Sequence, residues 1–355
     1  MESTGKIGIS VDKSAGIIDR RISVAPMMDW TDRHCRYFLR SFSASALLYT
    51  EMIPAAAILR GDRARFLAFS PEEQPIALQL GGCEPQELAA AARAGEEAGY
   101  AEVNLNCGCP SERVASGAFG ACLMRDPARV AACVAAMRAA VGMPVTVKMR
   151  IGVVTAAGAG ARAASAAYAE EDFVALCHFV ASICDAGCDV AIVHARKAVL
   201  GAFSPKDNRE IPPLRYEVVR RLKETFPALS VIVNGGLRDA DAIGAALGWC
   251  DGVMLGREAY HRPYLLAELE ERLHPGRPIP DRATVIARMQ RYARRELAAG
   301  TRLSAITRHM LGLYNGEPGA REYRRVLSEG SRAADAGPDL IYEAMPRSTR
   351  APAAL

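Results

Sequence analysis

Short apolar, β-branched runs recur eight times along this chain, at residues 22–27, 47–52, 76–81, 102–106, 145–150, 190–194, 231–234 and 252–256. The stretches between them space apolar residues three and four apart, the period of a helix with one buried face. Val130, Cys133, Val134 and Met137 form one such stripe, opened by Asp126 as N-cap and Pro127 in the first helical turn. Strands that alternate with helices run parallel, because each helix carries the chain back to the edge where the next strand starts. Eight such units predict an α/β fold, a TIM (β/α)8 barrel, over residues 19–275.

After Pro280 the strand pattern stops. Val285, Met289, Tyr292, Leu303, Ile306, Met310 and Leu313 recur at helical spacing, which predicts a small C-terminal all-helical domain at 280–330. The net charge of +4 is unevenly spread, for residues 281–330 hold ten arginines against five acids and leave the remainder near neutral. That face is either a solvated arginine-rich surface or a grip for a polyanion. Residues 1–18 read as a disordered extension, 331–355 as a flexible tail, and 154–171, dominated by Ala, Gly and Ser around Arg162, as a mobile loop. No apolar run approaches the roughly 18–20 residues that span a bilayer, and the first 20 residues lack the order of a signal peptide, so a cytoplasmic location is expected. The ten cysteines lie in core-like contexts and read as reduced thiols.

Chemistry-bearing residues gather at the ends of the expected strands, where α/β barrels build their sites. Pro26 and Met27 close the first strand, Gln79 lies in the third, and Asn106 and Cys109 follow the fourth. Lys148 and Arg150 end the fifth strand, and His194, Arg196 and Lys197 end the sixth. Asn234-Gly235-Gly236 and Gly256-Arg257 end the seventh and eighth, the positions at which backbone N–H groups of many barrels close on a phosphate. Lys148 is either a strand-end lysine reaching solvent or a buried cation that needs an anion. His194 is either a core histidine or a ligand contact at the mouth. A free thiol titrates near 8.5 and is mostly protonated at neutral pH, which suits a general acid. Cys109, set between Gly108 and Pro110 in a turn, is the thiol placed for that task. No metal is expected, because Cys107-x-Cys109 has no second ligand pair at matching spacing.

Over about residues 20–330 the chain resembles the tRNA-dihydrouridine synthases, flavoenzymes of which the A subfamily is the nearest in pattern. The likeness rests on SVAPMMDWTDRHCRYF at 23–38, YTEM at 49–52, NLNCGCPS at 104–111, HARK at 194–197, NREIPPL at 208–214, RHMLGL at 308–313 and PGAR at 318–321. The resemblance implies FMN held by Pro26, Met27, Met28, Gln79, Lys148, His194, Asn234, Gly235, Gly236, Gly256 and Arg257, with NADPH as reductant. It implies Cys109 as proton donor and Asn106 as a contact to the target uracil. It also implies tRNA as partner, met by Arg196, Lys197, Arg308, Arg324 and Arg325, with D-loop uridines near position 20/20a as targets and the enzyme acting as a monomer.

The pattern departs from that family in two places. Cys107 stands where the family usually carries an aliphatic residue, and strand alternation sends it away from Cys109. Residues 154–171 form a longer connection than usual. An FMN barrel acting on a free pyrimidine, and a barrel that binds tRNA without catalysis, are the competing readings; a basic helical appendage is not needed by the first, and intact Lys148, His194 and Cys109 are not needed by the second.

Overall fold

The structure is a computed structural model describing residues 18–111, 119–158, 160–346 and 349. Eight parallel strands close into a barrel: β1 (Ile22–Val24), β2 (Leu47–Pro54), β3 (Ile76–Gly81), β4 (Glu102–Cys107), β5 (Val145–Arg150), β7 (Val190–His194), β9 (Ser230–Asn234) and β10 (Gly252–Leu255). Ring closure is made by β1, which pairs with β2 on one side and β10 on the other. Strand alternation divides the side chains into two populations. Leu47, Tyr49, Ala77, Val190, Ile192, Ile232 and Met254 fill the lumen, while Leu78, Val103, Leu105, Val147, Val193, Val233 and their neighbours face the helix layer. Helix Pro127–Ala140 begins where its cap predicts, with Asp126 accepting from the Arg129 N–H, and it buries the expected stripe.

Two elements differ from expectation. Within 154–171, β6 (Val153–Thr155) pairs with β8 (Ala198–Leu200) in a small parallel sheet, and a helix covers Gly160–Ala166. Ala-rich composition here supports a helix, because alanine loses no side-chain entropy on becoming helical. The tail is not loose between 331 and 346. Leu340–Glu343 is helical, and Ile341, Ala344 and Met345 are buried, so the apolar residues of that segment continue the core. Residues 1–17, and 347–355 apart from Thr349, lie outside the described residues, as does the expected extension apart from Ile18.

Helices Arg282–Ala298, Leu303–Thr307 and Ala320–Gly330 follow the barrel. They do not form a core of their own: Val285, Met289, Tyr292, Ile306, Leu313 and Tyr323 belong to the same apolar cluster as the barrel's helix layer. The join is aromatic and polar. Tyr37 stacks on Tyr292 with ring centroids 3.9 Å apart, and His34 Nδ1 lies 2.6 Å from the Tyr292 hydroxyl.

Candidate active site

Strand β4 supplies the centre of the site. Asn106 is its last inward residue, and its Oδ1 accepts from the N–H groups of both Gly108 and Cys109 at 3.0 Å. This is the local turn an asparagine favours, and it carries Cys109 off the strand to a half-buried position at the barrel mouth. Ala121 N–H donates to the Cys109 carbonyl at 2.8 Å, pinning the far side. Cys107 points the other way, fully buried in the helix layer, where desolvation pushes its thiol well above the ordinary value. The two thiols therefore occupy opposite sides of the strand. Residues 112–118, which continue this loop, lie outside the described residues.

Positive charge converges beside the turn. Lys148 is the β5 neighbour of Asn106 in register, and its Nζ donates to the neutral Asn234 Oδ1 at 3.1 Å. Burial, with Arg150 as the next contribution, brings its pKa down to about 7. Among the described residues Lys148 has no carboxylate partner. His194 pairs in register with Arg150 and Asn234; burial, reinforced by Arg150 and Lys148, drives its pKa well below the ordinary value, so the ring is neutral. Its Nδ1 is buried with no hydrogen-bond partner among the described residues. Together these two groups fit an anionic, hydrogen-bonding ligand.

The glycine turn after β9 fits such a group. Gly235 and Gly236 take φ values of +111° and +75°, open only to glycine at low cost. A Cβ on Gly236 would lie 2.2 Å from Leu214 Cδ1, and one on Gly235 would lie 3.1 Å from His194 Nε2. Met27 packs on the lumen residues and lies beside Gly256. Pro26, Met27, Gln79, Lys148, His194, Asn234 and the two glycine turns are therefore gathered at one barrel end. Met28, by contrast, is 57% exposed.

Several charged residues of the mouth are already engaged. Arg257 donates to Glu210 at 2.8 Å. Lys197 donates to Asp172 at 2.8 Å and is buried, while Arg196 reaches the Pro212 carbonyl. Arg150 donates to the carbonyls of Gly108, Lys197 and Asn208 at 2.9–3.2 Å and so ties the turn after β4 to the connection that follows β7. On the helical side, Arg308 and His309 both bind Asp32; burial opposes its ionisation, but His309 and Arg308 hold it well below the usual carboxylate range. Arg325 faces Glu329 at 3.4 Å, and Arg324 is exposed with no ion pair among the described residues.

Two residues of the site were missed from the sequence. Arg209 is close enough to Cys109 and Arg257 for both to perturb it, and burial lowers its pKa. Glu102, fully buried beneath Asn104 and Asn106, shares their inward face. The period of two along Glu102, Asn104 and Asn106 is the signal that would have found it.

A closed parallel barrel whose carboxyl ends combine a turn-borne thiol, a lysine without a carboxylate partner among the described residues and glycine turns has the make-up of a barrel enzyme's active site. The dihydrouridine synthase family model matches residues 23–349. A tRNA-dihydrouridine(20/20a) synthase of Synechocystis is 52% identical over 91% of this chain and 93% of that protein. Proteins of the same description from Xanthomonas campestris pv. campestris and Pseudomonas aeruginosa are 50% and 51% identical, over 92% and 90% of this chain and 93% and 92% of theirs. The chain belongs to the dihydrouridine synthase family.

Proposed function

We propose that Cys109 is the acid of an FMN-dependent reduction of uridine 20 and 20a in tRNA, carried out at the mouth of this barrel. As a dihydrouridine synthase the chain is an oxidoreductase that acts on tRNA. FMN, reduced by NADPH, supplies a hydride to uracil C6 when bound. Lys148 offers the cation that a reduced, negatively charged flavin ring requires, and His194, with Gly235, Gly236, Gly256 and Arg257, lines the phosphate end. Taking up a phosphate there means that Arg257 exchanges Glu210 for the ligand. Asn106 holds the turn that presents Cys109, and the thiol delivers the proton to uracil C5, leaving a thiolate that solvent reprotonates. The target base leaves its stack to reach this depth. Arg308, Arg324 and Arg325, with Arg196 at the mouth, meet the tRNA backbone; Lys197, buried against Asp172, acts through that pair. No helix among the described residues is long and apolar enough to cross a membrane. A monomeric, cytoplasmic enzyme fits this reading.

The observation that carries the proposal is Lys148, half-buried at a barrel mouth against a neutral amide and within electrostatic reach of the Cys109 thiol. The test is Cys109→Ala. The variant retains FMN and is reduced by NADPH, yet forms dihydrouridine about 10²–10⁴-fold more slowly. Normal turnover by that variant defeats the assignment.

A further inference from the structure

The lumen of the barrel holds an unbroken chain of hydrogen bonds between its floor and the Cys109 turn. At the floor Arg20 donates through Nε and Nη2 to Glu102 Oε2 at 2.9 and 2.7 Å, and the Tyr49 hydroxyl donates to Oε1. Thr146 also donates to Oε1, at 2.7 Å. Above it Asn104 Nδ2 donates to Thr146 Oγ1 at 2.8 Å, Gln79 Nε2 to Asn104 Oδ1 at 2.8 Å, and Asn106 Nδ2 to Gln79 Oε1 at 2.9 Å. Asn106 Oδ1 then accepts the two backbone N–H groups of the turn. Glu102, Asn104 and Thr146 are fully buried, and Gln79 and Asn106 nearly so.

The direction of this chain is not free. A carboxylate only accepts, and a backbone N–H only donates. Between one acceptor-only end and one donor-only end, the hydroxyl and three carboxamides satisfy every link in a single order. If the Thr146 hydrogen turned to Asn104, the amides of Asn104, Gln79 and Asn106 would all have to reverse. Asn106 would then present its NH₂ to two N–H donors, leaving buried groups unpaired.

We infer that Glu102 is a positioning residue: through Thr146, Asn104 and Gln79 its carboxylate fixes the amide orientation of Asn106, and so the turn that presents Cys109, from the opposite end of the barrel. Gln79 lies on the same chain, so the floor also sets which face of its amide is offered at the proposed flavin site. The inference rests on the proposed site for its consequences in turnover, but not for the chain itself.

Three single substitutions separate this role from mere packing. Thr146→Val keeps the shape and cuts the chain; Thr146→Ser restores the hydroxyl; Tyr49→Phe removes a buried hydrogen bond to the same carboxylate but leaves the chain intact. FMN titration of the apoprotein is expected to weaken about five- to tenfold in Thr146→Val, the equivalent of one lost amide hydrogen bond. The rate at saturating tRNA is expected to fall by about tenfold with KM for tRNA little changed. Thr146→Ser and Tyr49→Phe stay within about twofold of the parent in both measurements. Parent-like behaviour of Thr146→Val, or an equal loss in Tyr49→Phe, overturns the inference. If the parent apoprotein takes up no FMN, the cofactor reading fails, and iodoacetamide labelling of Cys109 followed by peptide mass spectrometry decides the inference instead. Faster labelling in Thr146→Val alone supports it, and equal rates in all four proteins overturn it.

Discussion

The barrel mouth and the C-terminal helices are the two basic regions of this protein, and they treat their charges in opposite ways. At the mouth, Lys148 is half-buried against a neutral amide, and His194 is held neutral among cations. On the helices half of the ten arginines already sit in ion pairs: Arg282 binds Glu317 at 2.7 Å and covers the Tyr264 ring, Arg295 binds Glu72 at 3.1 Å, Arg308 binds Asp32, and Arg294 and Arg325 face Asp339 and Glu329. A net charge counted along the sequence therefore overstates what the helices offer a polyanion and understates what the mouth offers an anion. Desolvation is the reason. One uncompensated cation in the lumen exerts more field than several paired ones in water.

The sharpest way to break the comparison is to remove the lumen cation. Lys148→Met is expected to weaken FMN binding about 10–100-fold, since a charge-assisted contact in a dry site is lost. It also removes a pH signature. The folded pKa of Lys148, about 7, lies below the ordinary 10.5, so between those values the unfolded chain binds more protons than the folded one. The apoprotein therefore gains stability as pH rises from about 7 towards 10 and lacks this contribution below 7. Lys148→Met flattens that part of the profile of Tm against pH. FMN binding near pH 8 should take up a proton in the parent and none in the variant, as calorimetry in buffers of different ionisation enthalpy would show.

A smaller effect separates the helical arginines from one another. Arg324→Ala combined with Arg325→Ala leaves Tm within about 1 °C of the parent, because one has no ion pair among the described residues and the other an exposed one. It raises KM for tRNA and lowers the slope of log affinity against log salt by up to about 2, if each side chain meets one phosphate. An unchanged slope would return both arginines to ordinary surface. Arg308→Ala is the converse case, a loss of about 1–2 kcal/mol in stability, since it strips a charge partner from the largely buried Asp32. The smallest effect belongs to Cys107→Val, expected to change stability by less than about 1.5 kcal/mol and turnover hardly at all, as a near-isosteric swap outside the lumen. A dead Cys107 variant beside an active Cys109 variant would move the acid to the wrong side of β4.

The eight strands were legible because each carries a short β-branched or apolar core, continuous in β7 and alternating with polar residues in β4 and β5, and β3, β5 and β7 match the expected bounds. The inward row Asn104, Asn106 and the opposed Cys107 followed from a period of two. The tail and the 154–171 connection were misread because composition reports flexibility only when no neighbouring surface rewards order. Leu340 and Ile341 find such a surface on the terminal helices.

By itself the sequence determined the barrel, the family and the strand-end placement of Lys148, His194 and Cys109, since local periodicity and short motifs set these. Only the tertiary structure decided which charges are matched. Arg257 and Glu210 are 47 residues apart, and Arg308 and Asp32 are 276. Nor could the sequence state that Glu102 and Cys109 end the same hydrogen-bonded chain, because its links cross between β3, β4 and β5, and hydrogen-bond direction exists only where donors and acceptors from separate strands are brought face to face.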